Sequence, residues 1–194
     1  MQKKLAGIFF TYRSYTPIPF VLLMLIMERP TIASAIIGIA MVILGESIRF
    51  WGVCWAGSET RTTGGVGGTF LVISGPFAYT RNPLYVGNIL MYCGFGVMSY
   101  ALFPYLLIAA FLFFALQYHL IVSQEEEYLR GFFKAPYAEY TRQVPRFFPR
   151  LTPYKNASVE QPEFEIAAGF RSENRTLQAA SVVTVAILVR WFFL

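Results

Sequence analysis

The sequence predicts an all-α fold: a polytopic membrane helical bundle of about five transmembrane helices. Three observations predict it. Of 194 residues, 56% are hydrophobic and only 14% charged, with a mean hydropathy of +0.49, more apolar than an aqueous surface tolerates. Several apolar stretches approach the roughly 20 residues a helix needs to cross a hydrocarbon core of ~30 Å. These runs are also continuous, whereas the strands of a membrane barrel would alternate, and lipid admits no other spanning structure because it satisfies no free backbone group.

The first apolar region, residues 5–27, is interrupted by Arg13, Pro17 and Pro19 and reads as a short interfacial helix followed by a span. Lys3 and Lys4 before it and Ala33-Ser34-Ala35 behind it imitate a cleaved leader. A cut there would enter the next helix, so the first span is expected to stay. Glu28-Arg29-Pro30 is a polar turn, after which residues 31–55 form a long second span carrying Glu46 and Arg49 on one helical face. Residues 56–68 are polar and glycine-rich, and 69–82 lead to a third span at 84–103. Pro104 opens a fourth span over 105–122, so close behind the third that the two form a helical hairpin. That helix continues past the membrane through Glu125, Glu126 and Glu127 to about Lys134, where Pro136 interrupts the periodicity. Residues 136–175 are polar, aromatic and proline-containing, and 178–194, with Arg190 near the far end, read as a fifth span.

Basic residues set the orientation. The N-terminal segment, the connection holding Arg61 and Arg81, and the long connection from Arg130 to Arg175 carry thirteen of the sixteen Lys and Arg residues. The asymmetry places the N-terminus, the glycine-rich loop and the acidic helix end in the cytoplasm, which leaves the sequons at Asn156 and Asn174 on the unglycosylated side. Three parts follow along the chain: N-terminal membrane helices over 1–55, a core with the hairpin and its polar loops over 56–150, and a C-terminal extension over 151–194.

Familiar soluble signatures are absent. The run Gly64-Gly65-Val66-Gly67-Gly68 lacks both the phosphate-loop ending and the setting of a dinucleotide fingerprint, and reads as a connector. A net charge of +5 is spread among aromatics and carboxylates with no recognition module, so anionic lipid headgroups, not nucleic acid, are the expected partners. Cys54 and Cys93 lie in apolar runs and read as small hydrophobes, implying neither a disulfide framework nor a metal site. The single histidine, His119, suits a structural role or a polar contact inside the bundle.

The stretch Gly75-Pro76-Phe77-Ala78-Tyr79-Thr80-Arg81-Asn82-Pro83-Leu84-Tyr85-Val86-Gly87 gathers turn residues, aromatics and one fixed charge at a membrane entrance. Pro83 suits the first turn of a helix, whose N-terminus offers free amide donors to an anionic group. The antiparallel hairpin brings this stretch to the same membrane edge as Glu125 and Glu126. A site with both charge signs beside aromatic faces suits a zwitterionic ligand that also carries a cation; an interfacial loop and a solvated acidic patch are the plain alternatives.

Residues 71–87, taken with Glu125-Glu126-Glu127-Tyr128-Leu129, Phe133, Tyr137, Tyr140 and Val144-Pro145-Arg146-Phe147-Phe148-Pro149, resemble the isoprenylcysteine carboxyl methyltransferase and phospholipid methyltransferase superfamily. Its pattern is G-P-[YF]-x-Y-x-R-H-P-x-Y-x-G followed by E-E-x-x-L-x-x-x-F-G-x-x-Y-x-x-Y, and the match covers about residues 40–150. The resemblance implies S-adenosylmethionine as cofactor, bound in a cytoplasmic pocket by Leu71, Gly75, Tyr79, Arg81, Asn82, Pro83, Tyr85, Gly87, Glu125 and Glu126. Two departures stand out: Asn82 occupies the usual histidine position and Lys134 the usual glycine position. Asparagine donates and accepts hydrogen bonds but neither titrates nor stacks like imidazole.

The activity so implied is methyl transfer to a lipid or lipid-modified acceptor, most readily a carboxylate, which needs no general base and which Arg146 or Arg142 would orient. An amine acceptor, as in phospholipid N-methylation, would require a base such as Glu126 or His119. Glu46, Arg49 and His119 are candidates for holding the acceptor's headgroup, although the two charges also suffice to neutralise each other. A nicotinamide-dependent sterol-type reductase would need a strongly basic pocket for its diphosphate, and a non-enzymatic scaffold would bind no adenosyl cofactor.

Overall fold

All regular structure is helical in the computed structural model, which describes residues 2–57 and 70–193. The order is α1 (Gln2–Tyr12), α2 (Pro17–Ile26), α3 (Ile32–Ala56), α4 (Pro83–Ser99), α5 (Tyr105–Phe133), α6 (Ala135–Gln143) and α7 (Ile166–Phe193), with a 3-10 turn at Gly75–Ala78. The connector Gly64–Gly68 and Arg61 lie outside the described residues.

Three helices, α3, α5 and α7, are long and apolar enough to cross a membrane. The α1–α2 pair makes a fourth if its halves, bent by 56°, count as one broken span. Its break falls just ahead of Pro17, whose ring cannot continue a ladder of amide donors. α4 has 17 residues and extends ~26 Å at 1.5 Å per residue, short of a ~30 Å core. The described helices therefore give three to four candidate spans where the sequence suggests about five. α4 stops at Ser99 because Tyr100 and Leu102 adopt positive φ values of 53° and 45°, which a right-handed helix cannot include.

The chain divides into two compact units, each assembled from separated stretches. The first comprises Met1–Ser47, Gly87–Ile121 and Arg175–Leu194. Here α3 and α4 meet through glycines: a Cβ on Gly38 would lie 2.6 Å from the Gly94 carbonyl, and one on Gly45 would lie 2.6 Å from the Gly87 carbonyl. Such small residues let backbones approach in lipid, where dispersion contacts replace a hydrophobic drive. α5 adds a buried stripe of Ala110, Phe114, Gln117, Tyr118 and Ile121, at the spacing of one helical face. Arg190 of α7 pairs with Glu28 at 3.2 Å, and the Arg29 amide donates to the Ser99 carbonyl.

The second unit comprises Ile48–Val86 and Val122–Asn174. Its apolar cluster is Leu71, Ile73, Tyr137, Tyr140, Val144 and Tyr154, with Leu129, Phe133 and Val159 against it. Two features differ from the sequence reading. The proline expected to end a helix at 136 opens α6 instead, since it falls in that helix's first turn, where its missing amide proton has no partner to lose; Lys134 at φ 50° makes the corner. α7 starts at Ile166, ahead of the expected Gln178. The intervening Arg171, Ser172 and Glu173 look like loop residues, yet Glu173 is buried against Arg49 at 2.7 Å, so tertiary pairing supplies what local hydropathy does not.

Candidate functional site

The loop before α4 is held by its own backbone. Gly75 sits at φ +60°, and a Cβ there would overlap the Trp55 ring, so the position needs glycine on two counts. The next carbonyls are each taken. Phe77 accepts from the Tyr140 hydroxyl at 2.7 Å, Ala78 from the Tyr154 amide and Tyr79 from the Arg150 amide, both at 2.9 Å. The Arg81 amide donates to the Pro145 carbonyl at 3.0 Å, and Thr80 Oγ1 to the Arg146 carbonyl at 3.1 Å. At the loop's start, Gln161 clasps the strand-like backbone, donating to the Leu71 carbonyl at 2.9 Å and accepting from the Ile73 amide at 2.8 Å.

This frame aims Arg81 and Asn82 at Glu126, whose side chain is 4% exposed. Oε1 accepts from Arg81 Nε at 2.9 Å and from Asn82 Nδ2 at 3.3 Å. Oε2 accepts from Arg146 Nη2 at 2.6 Å, from Arg146 Nε at 3.1 Å and from Arg81 Nη2 at 3.4 Å. Each arginine is tied again elsewhere, Arg81 Nη1 to the Thr141 carbonyl at 3.0 Å and Arg146 Nη1 to Ser123 Oγ at 3.2 Å. Asn82 also donates to the Arg146 carbonyl at 3.1 Å, so its amide donates at a position where the family pattern has histidine. One carboxylate between two guanidiniums leaves a local charge of +1, and charge-assisted bonds of this kind are the strong ones.

Glu125, one residue earlier on α5, points about 100° away around the helix. Its Oε1 accepts from the Tyr85 hydroxyl at 2.8 Å. Tyr85 belongs to the first turn of α4, where Pro83 is fully buried and the Val86 amide begins the ladder by donating to Asn82.

The remaining expected residues fall in several places. Tyr79 packs on Trp51 at 6.2 Å, Leu71 lies in the apolar cluster, and Arg49 pairs with Glu173 while reaching the Leu84 carbonyl at 3.5 Å. Arg142 is exposed in the last turn of α6, away from the partners of Glu126, and its side chain joins no hydrogen bond among the described residues. Gly87, Glu46 and His119 belong to the first unit, with Glu46 buried on α3 and His119 exposed on α5. The sequence reading missed Ser123, Thr141 and Gln161, which act through common polar groups that carry no motif, and Glu173, whose signal was a lone acid ahead of an apolar run.

Burial raises the phenol of Tyr137 above its ordinary value, with the nearby Glu126 charge adding and Arg81 opposing. Burial also raises Tyr140, beside Tyr137. Both phenols therefore stay neutral beside the cluster, and Tyr140 donates to the Phe77 carbonyl. Among the described residues, no group of three or more His, Cys, Asp and Glu side chains is placed to hold a metal ion.

The chain is similar to two curated proteins over 123 residues, 63% of its length. It is 34% identical to the cobalt-zinc-cadmium resistance protein CzcN of Cupriavidus metallidurans, covering 51% of that protein. It is 32% identical to the nickel-cobalt-cadmium resistance protein NccN of Alcaligenes xylosoxydans xylosoxydans, covering 52%. The chain thus spans about half the length of these relatives. No solved structure matches it. The pattern of the phospholipid methyltransferase family matches residues 33–135, a stretch holding the Gly75 loop, Arg81, Asn82, Tyr85 and both glutamates, and the chain belongs to that family.

Proposed function

We propose that this protein is an S-adenosylmethionine-dependent methyltransferase acting at the cytoplasmic membrane face on a lipid or lipid-modified acceptor, with a carboxylate as the methylated group. The observation that carries the reading is the division of labour between the two glutamates: Glu126 is bound by Arg81, Asn82 and Arg146, while Glu125 stands with Tyr85 at the start of α4. Family membership supports methyl transfer, and the basic asymmetry of the loops supports the cytoplasmic side.

The donor set fits the cofactor's chemistry. Glu125, which accepts from the Tyr85 hydroxyl, suits an ammonium or ribose hydroxyls, and the positive dipole end of α4, which begins at Pro83, suits a carboxylate. When bound, S-adenosylmethionine supplies a methyl group on a cationic sulfur. Glu126 holds Arg81 and Arg146 in place. Arg146, 29% exposed against 13% for Arg81, spends three of its five N–H groups on Glu126 and Ser123. Its remaining two can orient an acceptor carboxylate. A carboxylate attacks without losing a proton, and positioning supplies the rate. Both Glu126 oxygens are already bound by guanidiniums, which counts against an amine acceptor that needs one of them.

The amine reading keeps one support, the family's phospholipid description; Glu125 would then be the base. The relatives' names speak of metal resistance. We place methyl transfer, not metal coordination, in this chain, because the clustered polar groups are guanidiniums, amides and paired carboxylates.

The test is calorimetric binding of S-adenosylhomocysteine to purified protein, with NADPH as control, followed by transfer of labelled methyl to a prenylcysteine or to phosphatidylethanolamine. Saturable binding and base-labile label on the prenylcysteine are expected. NADPH binding alone, or no binding by folded protein, overturns the proposal, and label on the amine alone moves it to N-methylation.

A further inference from the structure

The second unit contains a cavity that the cluster around Glu126 does not use. Its volume is about 670 Å³, and its wall is formed by the end of α3, by Phe70 and Val72, and by the chain entering α7. That volume lies in the ~300–1,000 Å³ range of small-molecule sites. The wall is largely apolar, with Trp55 and Phe164 packed against each other at 5.4 Å.

Ser172 breaks that apolar surface. It lines the cavity and is 8% exposed, and its hydroxyl has no hydrogen-bond partner among the described residues. A buried hydroxyl without a partner is destabilising by about 1–3 kcal/mol. A helical serine ordinarily avoids this by bonding a carbonyl one turn back. Its place is fixed, because the neighbouring Glu173 is locked to Arg49 at 2.7 Å and the Glu165 amide donates to the Cys54 carbonyl at 2.9 Å. Of the three charged lining residues, Glu163, Glu165 and Arg171, all are exposed and the last two are paired with each other at 2.6 Å, which leaves no buried formal charge for an ionic ligand to meet.

We infer that this cavity binds a neutral single-chain amphiphile, its apolar body against Trp55 and Phe164 and its carbonyl or hydroxyl hydrogen-bonded to Ser172. The inference does not rest on methyl transfer. It assigns a binding role to the C-terminal segment, which lies beyond the family match at residues 33–135.

Trp55 is the reporter. The 194-residue chain carrying Trp51→Phe and Trp191→Phe retains Trp55 alone of its three tryptophans and is placed in phosphatidylcholine nanodiscs. A dibrominated stearoyl glycerol is titrated against its fluorescence, beside a phosphocholine lysolipid with the same brominated chain. The expected result is saturable quenching by the neutral probe, weakened about tenfold by Ser172→Ala, the worth of one net hydrogen bond, and abolished by Ser172→Leu. Ala168→Phe fills the same cavity from another lining position should Ser172→Leu fail to fold. Non-saturating quenching, equal saturable quenching by the zwitterionic lysolipid, or quenching unchanged in both cavity-filling variants overturns the site.

Discussion

At the scale of single residues, the proposed function assigns binding to Glu125 and architecture to Glu126. Glu126→Ala would leave two partly buried guanidiniums without their shared carboxylate, and removing one partner of a buried pair costs about 3–5 kcal/mol. The expected outcome is a large fall in melting temperature in detergent, with cofactor binding lost as a consequence. Glu125→Gln removes a charge but keeps the shape and a group for the Tyr85 hydroxyl. It is expected to melt close to the parent while S-adenosylhomocysteine binds at least about tenfold more weakly, a charge-assisted bond having been lost; equal affinity in calorimetry would remove Glu125 from the pocket. Gly75→Ala meets both a left-handed backbone and the Trp55 ring, so a loss of at least about 1–2 kcal/mol in chemical denaturation is expected. The sequence makes the two glutamates legible as a pair and Arg146 legible as a candidate for orienting the acceptor, not as a partner of Glu126. It does not tell adjacent helix positions apart, because which one faces Arg81 depends on where α6 returns the chain.

At the scale of elements, α7 is the clearest case of structure hidden from local pattern. Its apolar half is readable from residue 178 onward, while its first three turns depend on Glu173 meeting Arg49 of α3, a relation separated too far along the chain for periodicity to reveal. α6 is hidden for a different reason, since Pro136 ends one helix and begins another with equal propriety. The pair Arg49–Glu173 makes a double-mutant cycle decisive. Glu173→Leu alone is expected to lower stability by about 3 kcal/mol, whereas Arg49→Leu with Glu173→Leu recovers most of it, because a buried ion pair exchanges with apolar side chains at little net cost. If the double variant melts no higher than the single one, the pair does more than neutralise charge.

At the scale of the whole molecule, alkaline pH is the sharpest probe. Tyr137 and Tyr140 bind their protons more tightly in the native protein than the ordinary phenol value of 10.0. Their contribution is therefore fully present below about pH 10 and is lost as the pH rises above it. Ultraviolet titration should show these two phenols silent until a cooperative transition that also abolishes the fold, and Tyr140→Phe, which gives up the bond to Phe77, should weaken the protein by about 1 kcal/mol at neutral pH. The helical class is readable at this scale from hydropathy alone, whereas the number of spans is not, because α4 at 17 residues falls between a span and a shorter helix. The pairing of Arg49 with Glu173 across 124 positions also has a meaning for biosynthesis. At roughly 5–20 residues per second, a ribosome that has finished Arg49 needs about 6–25 s to reach its carboxylate. Throughout that interval α3 carries an arginine whose Glu173 partner has yet to be made, so the first three turns of α7 complete the pair only near the end of synthesis.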